Sequence, residues 1–281
     1  MTHPADLEPP RARTEEEPKA TFMEHLEELR KRIFRALIYI MLGWVVAFAI
    51  TPYVYDFLAG PLLRTKPEGA KFVFTHATEP FFLKFKLALI MGLILAMPLM
   101  MREVWGFLSP GLTKQEKRAV KLIAPFSAFL FFSGVALGYY ILPAAFNFFL
   151  GYLKDYPDAQ LFQNPAQYIM FVVKMMFAFG LGFQMPVVLM FLAQIGVATP
   201  ETMWKYWRQA IVGIGLLAAL LTPSGDAFSM LAIGLPMVFL YFLSILLVGR
   251  IAKKKRRQAL RVETKQNKQG ERVWAQHIHR D

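Results

Sequence analysis

The chain has no cysteine. That excludes disulfides, thiolate metal sites and a cysteine nucleophile, and leaves the redox compartment unread. Charge is scarce at 19% of residues, below the ~25% of an ordinary soluble domain. Acids are scarcer still, 20 against 32 Lys and Arg. Catalytic signatures are missing too. The sequence holds no Gly-x-Ser-x-Gly, no His-Glu-x-x-His and no Walker loop, so neither enzyme chemistry nor nucleotide hydrolysis is expected. His25 with Glu28 mimics a metal pair only loosely, because further ligands are lacking. No metal, cofactor or catalytic residue is therefore assigned. No internal repeat is visible, which weakens an inverted-repeat transporter.

Hydrophobic residues make up 56% of the chain and aromatics 15%. Six apolar runs account for the excess, at 33–50, 81–101, 122–142, 168–195, 210–221 and 228–248. A helix needs about 20 apolar residues to cross ~30 Å of hydrocarbon. Five runs meet that length. The fifth, 210–221, is short. It crosses only with local membrane thinning or flanking extension, or else forms half of a re-entrant hairpin. The first 32 residues are polar, with no apolar core of the length a cleavable signal needs, so the first run is expected to remain as a span. No stretch outside the runs is long enough for an independent soluble core.

The net charge of +12 has a location. Of the 32 Lys and Arg, 24 fall before the first run, between the second and third, between the fourth and fifth, and after the sixth, while four fall in the alternate segments. The positive-inside rule places the first set, and with it both chain ends, in the cytoplasm. This distribution is that of a membrane protein and not of a nucleic-acid binder. The expected organisation is a disordered tail over 1–20, a six-span domain over 21–250 and a basic, disordered cytoplasmic tail over 251–281. The tail is placed to anchor the topology and to meet anionic lipid.

Several residues stand out. Residues 21–33 read as an amphipathic helix entering the first span, with Thr21 and Glu24 as a capping box and Phe22, Leu26, Leu29 and Ile33 as one apolar stripe. Glu27 with Lys31 and Glu28 with Arg32 are spaced for local helix pairs, which is the plain reading of those acids. In the loop after the second run, Ser109-Pro110-Gly111 makes a turn. Glu116 either caps the third helix with Thr113 or serves as the one acid among Lys114, Lys117 and Arg118. Gln184 lies mid-run in the fourth span beside Pro186, and its amide is satisfied either within the chain or by another subunit. Asp226 follows the short fifth run and is placed to cap the sixth helix.

These segments resemble the TatC family, the multispanning receptor of the twin-arginine (Sec-independent) protein translocase. The stretches that carry the resemblance are 25–32 (HLEELRKR), 60–63 (GPLL), 80–82 (PFF), 104–112 (VWGFLSPGL) with 114–118 (KQEKR), 177–186 (FAFGLGFQMP), and 221–223 (LTP) with 226–229 (DAFS) and Pro236. They occur in family order over roughly 21–250.

The resemblance implies an all-α, concave, glove-like bundle of six spans with short fifth and sixth helices in the cytoplasmic (inner) membrane. It implies that Glu28 and Glu116 bind the arginine pair of signal peptides of folded cargo, and that Arg30 and Phe107 belong to the same signal-peptide-binding site. Pro61 and Pro98, like Phe107, match positions sensitive to change. Gln184 and Phe242 stand where many members carry Glu. The implied partners are single-span proteins of the TatA and TatB types, in a complex of several copies driven by the proton gradient. The competing expectation, a small-solute secondary transporter, requires ionisable or unwound sites at the midplane.

Overall fold

A computed structural model describes residues 22–65, 71–108, 114–156, 162–222 and 225–278. Its helices are α1 (Phe22–Thr65), α2 (Glu79–Leu108), α3 (Lys114–Gly151), α4 (Pro165–Gly182), α5 (Met185–Gln194), α6 (Pro200–Lys205), α7 (Trp207–Leu221) and α8 (Ala227–Ile278). A 3-10 turn spans Tyr152–Asp155. Two-residue strands β1 (Lys71–Phe72) and β2 (Phe162–Gln163) pair in parallel. Five stretches are long and apolar enough to cross a membrane: Met23–Pro61, Glu79–Leu108, Pro125–Gly151, Pro165–Gln194 and Ala227–Arg250. The shorter apolar α7 stands between the last two.

All six expected apolar runs are therefore helical, five of them long enough to cross a membrane, with changed bounds. α1 runs unbroken for 44 residues through Pro52 and Pro61, well beyond the expected end at 50. At ~1.5 Å per residue it is about 66 Å long, twice a membrane's hydrocarbon. The fourth span breaks at Phe183–Gln184 into α4 and α5. The fifth grows to 15 residues, ~22 Å, and remains short. α8 continues as one helix of 52 residues to Ile278, so most of the tail expected to be disordered is helical. The 1–20 tail and the capping residues Thr21 and Thr113 lie outside the described residues.

Local chemistry fixes the other ends. Asn164 caps α4 by accepting from the N–H groups of Ala166 and Gln167, with Pro165 in the first turn, where a missing N–H costs nothing. Thr199 caps α6 in the same way ahead of Pro200. α5 closes on Gly196, whose φ of +83° suits only a residue without a Cβ.

The core lies among α2, α3 and α4. Leu87, Phe131, Leu142, Ile169, Val172, Val173 and Phe179 are at most 1% exposed there. Without water to drive helix association in lipid, close approach is set by small residues. At the α1–α2 crossing, Gly43 and Gly92 bring backbone onto backbone, since a Cβ on Gly92 would lie 2.5 Å from the Trp44 nitrogen. Between α3 and α4, Gly134 does the same against the Phe179 carbonyl, and Gly180 leaves room for the Phe131 ring. At the end of the bundle where α1 stops and α4 starts, the helices are tied by polar bonds. Tyr139 donates to the carbonyl of Phe57 (2.9 Å), Tyr168 to that of Leu58 (3.2 Å), and Asn164 to Glu79 (3.0 Å). At the opposite end the start of α1 meets the end of α2.

Candidate functional site

Glu28, Arg32, Arg35 and Tyr39 recur at helical spacing along one face of α1, and that face meets the last turns of α2. Arg32 links the two helices. Its Nε and Nη2 donate to Glu28 Oε1 at 3.0 and 2.5 Å, and its Nη1 donates to Glu103 Oε2 at 3.2 Å. The same Nη1 reaches the Glu103 carbonyl at 3.4 Å. Arg35 Nη1 lies 3.3 Å from Glu103 Oε2, and the Tyr39 hydroxyl donates to Glu103 Oε1 at 3.4 Å. Glu103 is thus a buried carboxylate, its side chain 5% exposed, held by two guanidinium groups and a phenol. Burial without those partners would cost several kcal/mol, so this grouping is required for the acid to sit there as a charge. The side chains of Arg32 and Glu28 are 19% and 28% exposed, at the edge of the buried region.

Around this cluster, Phe107 of α2 stacks on His25 of α1, with ring centroids 4.4 Å apart and planes at 19°. Gly106 leaves room for Arg32, because a Cβ there would occupy the place of Arg32 Nη1. The local pair Glu27–Lys31 forms at 2.8 Å on the solvent side and belongs to neither helix junction. Leu26 and Ile33 of the expected stripe are exposed, and so face the surroundings of the bundle and not another helix.

The sequence-derived candidates separate here. Glu28 and Phe107 come to the α1–α2 junction. Arg30 points elsewhere, exposed, with its guanidinium 5.7 Å from the centre of the Phe34 ring. Glu116 is the third residue of α3, and its side chain lies outside the described residues, as does the turn 109–111. Pro61 is buried near the end of α1, and Pro98 is half-buried within α2. Gln184 sits at the α4–α5 break, and Ser127 of α3 meets both ends of its amide. The Ser127 hydroxyl donates to Oε1, and Nε2 donates to the Ser127 carbonyl at 3.1 Å. Asp226 caps α8, accepting from the Ser229 N–H at 2.7 Å. Phe242 lies among aromatic rings, with Trp204 and Trp207 at 6.1 and 6.4 Å.

Sequence reasoning missed Glu103. The available signal was its position: an acid two residues past the 81–101 run, with no base three or four residues away and only Arg102 adjacent, must find a distant partner.

The family model described as "Sec-independent protein translocase protein (TatC)" matches residues 24–236. A Sec-independent protein translocase protein TatC of Desulforapulum autotrophicum is 39% identical over 241 residues, covering 85% of this chain and 88% of the relative. That of Aquifex aeolicus is 35% identical, covering 84% and 97%. A chloroplastic TATC of Arabidopsis thaliana is 34% identical, covering 84% and 68%. The crystal structure of a twin-arginine translocase receptor, TatC, superposes with a TM-score of 0.71 at 34% identity, over 82% of this chain and 99% of that one. The family is one of translocase components and not of enzymes. With a family match over residues 24–236, relatives of this identity and a superposition over four fifths of its length, the chain belongs to the TatC family of Sec-independent protein translocase proteins.

Proposed function

We propose that this chain is the receptor subunit of a twin-arginine translocase in the cytoplasmic (inner) membrane, with both termini in the cytoplasm. Its cytoplasmic face binds the paired arginines of signal peptides on folded cargo. Several copies assemble with TatA-type and TatB-type single-span proteins, and export is driven by the proton gradient. The work is recognition and transport without covalent chemistry.

The observation that supports this most is Glu28. It is part-exposed, and one of its oxygens already accepts two donors of a guanidinium, the group it is proposed to receive. Glu116 enters α3 on the same side of the bundle. An exposed ion pair contributes at most ~1 kcal/mol. Two carboxylates facing two guanidinium groups at a partly desolvated surface reach several kcal/mol and favour Arg over Lys through fork geometry.

The test is binding of a twin-arginine precursor to membranes holding Glu28→Gln, Glu116→Gln or both, at matched protein levels. Binding is expected to fall in each single variant, with coupled loss in the double. A double variant that binds normally would leave both acids as helix-start features and remove the receptor assignment.

A further inference from the structure

Glu28 is not an open carboxylate. One of its oxygens holds two donors of Arg32, and Arg32 is in turn shared with Glu103. We propose that Arg32 is a built-in stand-in for the incoming arginine, and that Glu103 is the berth into which its guanidinium withdraws when the signal takes Glu28. This deepens the receptor reading above and rests on it.

The first support is chemical identity. Arg32 offers Glu28 the same planar donor fork that a signal arginine offers, so the two compete for Oε1. The second is the position of Nη1. It already lies 3.2 Å from Glu103 Oε2 and 3.4 Å from the Glu103 carbonyl, so leaving Glu28 is a shift of bonds about one guanidinium and not a transfer into lipid. A displaced Arg32 with no acid to receive it would be a largely buried, unpaired cation, which is strongly unfavourable. The third is space, since Gly106 keeps open the volume that Nη1 fills beside Glu103. The fourth is charge. Glu28, Glu103, Arg32 and Arg35 sum to zero, so the resting junction has no net attraction for stray cations. Arg35, 47% exposed, is free to swing outward as Arg32 moves in on Glu103.

Specificity follows from the exchange. A lysine ammonium is a point charge and does not reproduce the two Arg32 donors it would displace. An arginine replaces them like for like.

The experiment measures binding of two fluorescent synthetic signal peptides, one with paired arginines and one with paired lysines. The membranes carry the full chain with its native translocase partners. Arg32→Gln removes the competitor, so the arginine peptide is expected to bind tighter by roughly threefold or more, with a smaller gap between the two peptides. Arg32→Lys keeps a cation for Glu103 without the fork and is expected to fall between wild type and Arg32→Gln. Glu103→Gln and Gly106→Ala each close the berth and are expected to weaken binding by roughly threefold or more, an effect that vanishes in the Arg32→Gln background. Weaker binding by Arg32→Gln and Arg32→Lys at matched levels of inserted protein would overturn the proposal. So would a Glu103→Gln defect that persists without Arg32. Glu28→Gln, run in parallel, separates the two readings. Lost binding there keeps the receptor reading while the Arg32 variants decide this one, and retained binding removes this proposal and leaves the receptor reading to the double variant with Glu116→Gln.

Discussion

Gln184 shows how a single amide changes meaning once its surroundings are known. A lone polar group in an apolar run needs a partner, and a neighbouring subunit is as good a candidate as the chain itself until the packing is seen. Here the hydroxyl and the carbonyl of Ser127 take both ends, and Ser127 is fully buried. Gln184→Leu is therefore expected to lower the stability of the solubilised protein by about 1–2 kcal/mol while single-span partners still co-purify. Ser127→Ala should cost a similar amount, and the double variant less than the sum, because one contact is lost either way. Thermal unfolding and co-purification of the three variants check this. Loss of partners with unchanged stability would show the amide facing outward. The amide was legible in the sequence because an uncharged polar residue in hydrocarbon is conspicuous. Ser127 was not, because a buried serine 57 residues away looks like any other small residue of a span. Glu103 escaped for a related reason: its partners Arg32 and Arg35 lie on another helix, and only the α1–α2 contact makes the three one cluster.

Among the helices, length was legible and continuity was not. The hydrocarbon thickness sets a minimum apolar run, and every run that met it is a span. Nothing in that rule says where a helix stops once it has left the membrane. α1 passes Pro52 and Pro61 because proline fits a helix whose neighbours or surroundings satisfy the freed carbonyls. α8 continues through a basic sequence that composition reads as unstructured.

The helix crossings were hidden for another reason, since glycine in a span has no signature of its own. Gly92 touches the α1 backbone, whereas Gly213 on α7 has open space around it. Gly92→Ala must push α1 and α2 apart and is expected to cost about 1–3 kcal/mol. Gly213→Ala, meeting nothing, is expected to be neutral or to stabilise by up to ~1 kcal/mol through helix propensity. Thermal unfolding in detergent separates the two, and equal melting temperatures would mean that the crossing tolerates a methyl group.

For the whole molecule, orientation is a matter of charge. With 24 of 32 basic residues in one set of segments, a reporter active only in the cytoplasm is expected to be active after Lys255 and silent near Asp155. Activity at Asp155 would invert the protein and move the Glu28 junction to the other side of the membrane.

The ties between helices differ at the two surfaces in a way that bears on motion. Where α1 ends, α1, α2, α3 and α4 are joined by the Tyr139, Tyr168 and Asn164 hydrogen bonds and by the β1–β2 pair. At the far surface, α1 and α2 are joined at Glu103 by Arg32, Arg35 and Tyr39, and Arg32 has a second acid, Glu28, on its own helix. The bundle is thus pinned at one rim and latched at the other, like the blades of a fan. Swapping one guanidinium for another at Glu28 therefore leaves Arg32 bonded to Glu103, so that α1 and α2 stay tied at this rim while the charge presented there changes, and no bond at the opposite rim is broken.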